Sequence, residues 1–206
     1  MVNLMHSLPL LLGSLGMLAL PLLSAGSPGA RVMVVHRQDG ESWCLEWQGH
    51  TYRCAIGRGG LAREGRKKEG DGCTPCGAFR LRRLYYRPDK VASAQLPAAL
   101  KPTPLSADDG WCDDPGDRAY NTFVKLPYAG RHERLWRPDD DVYDLIVPLG
   151  YNDGPIVRGA GSAIFLHVAR PGYSPTAGCV ALDKRDLLAI LATVDGDCQM
   201  WILPED

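Results

Sequence analysis

The alternation of apolar and polar positions predicts a chain of short strands closed by one helix. Segment 31–37 (RVMVVHR) is rich in β-branched residues and predicts a first strand. Segments 42–47 and 51–56 flank Gln48-Gly49-His50 and predict a hairpin. Segment 77–87 (GAFRLRRLYYR) alternates apolar with basic residues, the period-2 pattern of a half-buried strand with an arginine-bearing outer face. Further strands are expected over 141–149, 161–169 and 199–203. Helical periodicity is clear over 183–194, where Leu187, Ile190, Leu191 and Val194 form one apolar stripe. Asp183 is placed to cap that helix, with Asp186 in its first turn. Segment 57–72 is rich in glycine and charge and predicts a loop; 92–100 predicts a short helix. Segment 101–130 has few periodic apolar positions and predicts a long irregular insertion, a candidate cleft wall. About seven strands and one helix make a β-rich α+β domain.

The first residues depart from this pattern. Residues 8–23 are apolar apart from Ser14 and are interrupted by Pro9 and Pro21, so they do not read as a core helix. Residues 1–26 are expected to be a signal peptide or N-terminal anchor, with the protein exported to the periplasm or cell envelope. Membrane attachment, if any, then runs through this segment alone. Residues 31–206 remain as one domain with room for a real core. A composition of 45% hydrophobic and 23% charged residues is that of a soluble globular protein. The net charge of −1 gives no electrostatic footprint for nucleic acid. The short basic run 63–68 reads as a solvated loop.

Seven cysteines change the picture. With Cys179 set aside as a candidate working thiol, six remain for pairing in an oxidising compartment. Cys44 and Cys54 are equidistant from Gly49 and are expected to face one another across the hairpin. Cys73-Thr74-Pro75-Cys76 is a CxxC. A redox site wants a helix after it, whereas a β-patterned segment follows in this chain. A zinc site wants a second pair, which Cys112 with His132 does not supply. A structural disulfide is therefore expected there, either between Cys73 and Cys76 or from one of them to another cysteine, and no metal site.

The chemistry concentrates in 161–182 (GSAIFLHVARPGYSPTAGCVAL). An apolar run delivers His167 at a strand end, a turn-rich loop follows, and Gly178 precedes Cys179. Cysteine is a strong nucleophile as thiolate, and a nearby imidazole promotes that form. Gly178 lacks a side chain, so backbone amides around Cys179 can approach a carbonyl oxygen. A histidine at a strand end is also a common structural residue, and a lone cysteine in an exported protein is commonly disulfide-bonded. Residue types alone leave catalytic and structural roles open.

That stretch resembles the active-site signature of the L,D-transpeptidase catalytic domain (YkuD-like) family: a strand ending in His, a loop, then Ser/Thr-His-Gly-Cys. Thr74-Pro75-Cys76-Gly77-Ala78-Phe79 resembles the family's Thr-Pro-x-Gly-x-Phe strand entry. The resemblance implies an L,D-transpeptidase-like β-sandwich with its main helix beside the active-site turn. It implies Cys179 as nucleophile and His167 as general base, oriented by the Val168 backbone carbonyl. The Gly178 and Cys179 amides would hold the oxyanion, with no cofactor or metal. The partner would be peptidoglycan stem peptides, whose carboxylates make Arg158 and Arg170 candidate substrate-binding residues, with Tyr173 in the His-to-Cys loop. Two departures mark a divergent member: Ala177 replaces the family's second His, and Ala181 stands where Asn or Arg is common. The expected activity is a cysteine acyltransferase forming peptide cross-links. The alternatives are an L,D-carboxypeptidase or related stem-peptide hydrolase, and a non-catalytic wall-binding domain.

Overall fold

The computed structural model describes residues 32–38 and 42–205; the expected signal or anchor segment, 1–26, lies outside them. In chain order the elements begin with β1 (Val32–Gln38), β2 (Ser42–Trp47), β3 (His50–Ala55), β4 (Leu61–Ala62) and β5 (Thr74–Pro75). They continue with β6 (Gly77–Arg80), β7 (Tyr85–Tyr86), β8 (Thr103–Pro104), β9 (Asp109–Cys112) and β10 (Thr122–Lys125). Then come β11 (His132–Arg134), β12 (Leu145–Pro148), β13 (Phe165–Val168), β14 (Val180–Leu182), α1 (Lys184–Leu191) and β15 (Gln199–Ile202). The β-rich α+β class predicted from the pattern is the observed one.

Ten strands form one mixed sheet in the order β6-β15-β1-β2-β3-β14-β13-β12-β7-β8. The sheet rolls over until the residues after β6 meet β12: Leu81 bridges Leu149, and Arg82 N–H donates to Pro148 O at 3.0 Å. The enclosed face carries the main core, including Met33, Val35, Leu45, Leu145, Leu166, Val180 and Leu182. Helix α1 closes that core with Leu187, Ile190 and Leu191, each fully buried and each stabilising by about 1.5–3 kcal/mol. Asp183 caps the helix, accepting from Arg185 N–H at 2.9 Å. Because α1 follows β14 directly, the cap also fixes the strand that carries the Cys179 turn.

Several expectations change. Segment 101–130 is not irregular: β9 pairs with β10 and, just beyond the segment, with β11 in a small antiparallel sheet. Each of its strands is only three or four residues, too short for periodicity to show. The segment 77–87 breaks after Arg80, and 92–100 forms two 3₁₀ turns rather than one helix. Strand β13 begins at Phe165, because Gly161 and Ala163 have φ of +104° and +53° and leave the extended region. Strand β12 likewise starts at Leu145, after the turn in which Asp144 N–H donates to Asp141 O at 3.0 Å.

The structure holds no disulfide among the seven cysteines, and its register separates the two expected pairs. The hairpin turns on Gln48 and Gly49, both at positive φ, so Trp47 pairs with His50 and Cys44 with Arg53. Cys44 and Cys54 are therefore one residue out of register and point to opposite sheet faces. Cys73 and Cys76 flank the extended β5. Three extended residues hold their Cα atoms roughly 10 Å apart, beyond disulfide reach. Cys112 and His132 face each other across β9 and β11, but no group of three potential ligands is assembled among the described residues. The basic run is not wholly solvated either. Lys67 is buried, its ammonium 2.5 Å from Asp71 Oδ1.

Candidate active site

Strands β13 and β14 run parallel, with Leu166 opposite Val180 and His167 opposite Ala181. That register sets Cys179 beside Phe165, so Cys179, Phe165 and His167 share one face, opposite the main core. Nucleophile and base candidates thus stand on adjacent strands, diagonal neighbours two residues apart in register.

The imidazole is oriented by its own strand: His167 Nδ1 lies 2.8 Å from Val168 O. That bond assigns the ring proton to Nδ1 and leaves Nε2 as the basic nitrogen. The ring meets Tyr143 edge-on, centroids 5.5 Å apart. Burial pulls the imidazole down to about 4; the Val168 carbonyl opposes the shift, and the Arg137 and Arg170 charges add to it.

The thiol has two backbone partners. Cys179 Sγ donates to Ala163 O at 3.3 Å and accepts from Phe165 N–H at 3.4 Å. Burial pushes the thiol up to about 12; the Phe165 N–H opposes this, Glu133 adds to it, and Lys67 and Arg137 lower it. At neutral pH the resting pair is therefore neutral thiol and neutral imidazole, and the thiol is bonded to Ala163 rather than to the ring.

The turn holding Cys179 depends on glycine and two threonines. Gly178 has φ +140°, and a Cβ there would sit 2.8 Å from Cys73 O, so a side chain cannot fit. Thr176 Oγ1 donates to Cys179 O at 2.7 Å and accepts from Gly178 N–H at 3.1 Å. An oxyanion seeking the Gly178 amide therefore competes with that hydroxyl. Thr74, fully buried, accepts from Gly57 N–H at 2.8 Å and donates to Cys179 O at 3.4 Å. The Thr-Pro-x-Gly-x-Phe segment thus packs directly behind the nucleophile turn.

Over this face lies an apolar cover. Leu105, Leu135, Val142 and Tyr143 cluster with Ile146, Phe165 and Cys179, while Trp111, Phe123 and Trp136 pack on them half-buried. Trp111 meets the Phe165 ring edge-on at 5.1 Å. Cys179 is only 7% exposed, so a substrate reaches the sulfur past this cover. Beside it runs a charged chain. Arg137 pairs with Glu133 and, at 3.3 Å, with Asp140, and its guanidinium lies 4.4 Å over the Tyr143 ring. Arg170 is 3.7 Å from the same Asp140.

Of the other sequence candidates, Arg158 is exposed and donates to Pro115 O at 2.8 Å, tying two loops together. Tyr173 lies under the Arg53 guanidinium at 4.5 Å. Ala177 is exposed and Ala181 buried, so neither offers a polar group to the site. Within the insertion, Tyr120 donates to Glu69 at 2.5 Å and Asp113 pairs with Arg131 at 3.0 Å, both structural ties. Sequence reasoning missed Glu133, Arg137, Tyr143, Asn121 and Thr176. Thr176 stands inside the recognised signature; the others come from segments with no local motif.

The chain is thus a β-rich fold that presents a cysteine and a histidine on adjacent strands. Residues 29–202 match the model of the L,D-transpeptidase catalytic domain, YkuD, and the chain belongs to that family. Among solved structures, it is similar to Mycobacterium tuberculosis L,D-transpeptidase 1 at 12% identity and a TM-score of 0.37, over 85% of this chain. The match spans 62% of that protein's chain. No curated protein matches the sequence.

Proposed function

We propose that this protein is an exported peptidoglycan L,D-transpeptidase that joins stem peptides through a thioester on Cys179. The observation that carries the proposal is the shared face of β13 and β14, with the His167 ring held by Val168 O and the cysteine two residues out of register beside it. Family membership supplies the substrate class. Residues 1–26 would direct export.

In the first step Cys179 Sγ gives its proton to His167 Nε2 and bonds to the carbonyl carbon preceding a terminal D-alanine. The Cys179 amide, with Gly178 if its bond to Thr176 yields, stabilises the oxyanion. The carbon–nitrogen bond breaks, and D-alanine leaves with the proton from Nε2. A neighbouring stem's side-chain amine, in its neutral form, then attacks the thioester. His167 takes the amine proton and returns it to sulfur as the carbon–sulfur bond breaks. The neutral resting pair suits this cycle, since His167 starts unprotonated and passes on each proton it takes before the next step.

The apolar cover favours transfer over hydrolysis, because a thioester beneath Trp111, Leu135 and Tyr143 is shielded from bulk water. Arg137 and Arg170 line one flank and are suited to stem-peptide carboxylates. The test is mass spectrometry of muropeptides after incubation with wild type and Cys179→Ala. Cross-linked dimers made by wild type alone support the proposal, and their fragmentation assigns the linkage. Shortened monomers without dimers establish a carboxypeptidase instead, and no change in either sample points to a wall-binding domain.

A further inference from the structure

The two backbone groups that hold the Cys179 sulfur are themselves held by the insertion, through Asn121 and Trp111. Asn121 is buried, at φ +58°, in the turn between β9 and β10. Its Oδ1 accepts from Ala163 N–H at 3.0 Å and from Trp111 Nε1–H at 3.0 Å. Its Nδ2 donates to Tyr151 O at 3.1 Å and to Asn152 O at 2.8 Å. An amide side chain offers two acceptor sites and two donors, and all four are used.

Ala163 pays for this brace in backbone strain. A non-glycine residue in the left-handed region costs about 1–2 kcal/mol and persists only where surroundings over-determine it. Its φ of +53° aims the carbonyl at the thiol. Two residues on, Phe165 N–H reaches the same sulfur, and Trp111 packs on the Phe165 ring. These two contacts have opposite effects. A carbonyl acceptor favours S–H, whereas an amide donor favours S⁻.

We propose that Asn121 is a positioning residue for the nucleophile: by fixing Ala163 it keeps the Ala163 carbonyl on the Cys179 thiol, so the sulfur rests protonated and turned from His167. Substrate that draws the Asn121 side chain off Ala163, with the apolar cover in place, would free the carbonyl and release the sulfur toward the imidazole. This deepens the role of Cys179 as nucleophile and rests on it. The other titratable and charged groups around the sulfur are Tyr143, Glu133 and Arg137 from the segments between β10 and β12, Lys67 from the 57–72 loop, and His167 two residues away in register on β13. Asn121 also holds Trp111, which packs on Phe165; losing that support weakens the Phe165 N–H contact and raises the thiol pKa, opposite in sign to loss of the carbonyl.

The test is the ultraviolet absorbance of the Cys179 thiolate in full-length protein, taken as the difference from the same protein carrying Cys179→Ala. The variants are Asn121→Gly, which tolerates the positive φ, Asn121→Ala, Asn121→Asp, which keeps both acceptor contacts, and Ala163→Gly, whose glycine holds the positive φ without strain and so keeps the carbonyl in place. Loss of the carbonyl contact should lower the thiol pKa by about one unit, giving roughly tenfold more thiolate at about pH 9.5 in Asn121→Gly and Asn121→Ala, and adding Ala163→Gly to either should bring the signal back toward wild type. Asn121→Asp should stay at or below the wild-type signal. An unchanged or smaller thiolate signal in whichever of Asn121→Gly and Asn121→Ala folds overturns the proposal. An equal rise in Asn121→Asp also overturns it, since that outcome marks general loosening. Failure of the acyl-transfer function shows separately, as a wild-type protein that forms no thioester.

Discussion

His167 and Cys179 stand on adjacent parallel strands, on one face and two residues out of register, without a hydrogen bond to each other. The imidazole bonds to Val168 O at 2.8 Å and the thiol to Ala163 O at 3.3 Å. The two side chains are thus neighbours, each hydrogen-bonded to backbone rather than to the other.

Replacing His167 with Ala should lower turnover roughly 10²–10⁴-fold, the range for loss of a general base. Folding should survive, because the ring borders the satellite cluster and bonds only to its own neighbour's carbonyl. Steady-state kinetics with a circular dichroism melt checks both halves; unimpaired turnover contradicts the assigned base.

The buried imidazole also makes stability depend on pH. Its folded value near 4 lies below the ordinary 6.5, so the unfolded chain takes up the proton first as pH falls. Stability should therefore be full above about pH 6.5 and decline between there and about pH 4, by roughly 3 kcal/mol in total. Urea titrations at several pH values measure it. In His167→Gln this part of the slope should vanish.

Gly178→Ala should cost roughly 2–4 kcal/mol, since it combines a strained backbone with a clash on a backbone oxygen. The added Cβ meets Cys73 O at 2.8 Å, and neither backbone can yield without moving the Cys179 turn. Denaturant unfolding should report the loss, and thioester formation should fall with it. A variant of wild-type stability would contradict the packing of β5 behind that turn.

All seven cysteines should be alkylated when the protein is denatured without reductant, because none is in a disulfide in the fold. Mass spectrometry of the alkylated chain counts them directly. A count of five or fewer would mean that a disulfide has formed and would contradict the free thiols of the structure.

Much of this arrangement is legible in the sequence where the signal is local. The β-branched and alternating runs yield β1, β2, β3 and β15, and the capped stripe Leu187, Ile190, Leu191 yields α1. The signature singles out His167, Val168, Gly178 and Cys179, which the structure brings to neighbouring positions on β13 and the turn before β14. What escapes is set by contacts between distant segments. The Ala163-Ile164-Phe165 run looks like continuous strand, yet Ala163 has positive φ and bonds through its N–H to Asn121, forty-two residues earlier in the chain. The strands of the insertion are too short to declare themselves, and their apolar residues acquire a purpose only against Phe165 and Cys179. Cys44 and Cys54 fail as a pair because a two-residue turn moves the hairpin's centre by half a residue, which no symmetry about Gly49 reveals.

The most direct measurement is the intact mass of the protein after brief incubation with a tetrapeptide stem donor and no acceptor. Wild type should gain the mass of the donor less one D-alanine, lost on adding hydroxylamine and mapped by peptide analysis to Cys179. Cys179→Ala should gain nothing. A wild-type protein that stays unmodified while folded, or an adduct on any other residue, would contradict the account.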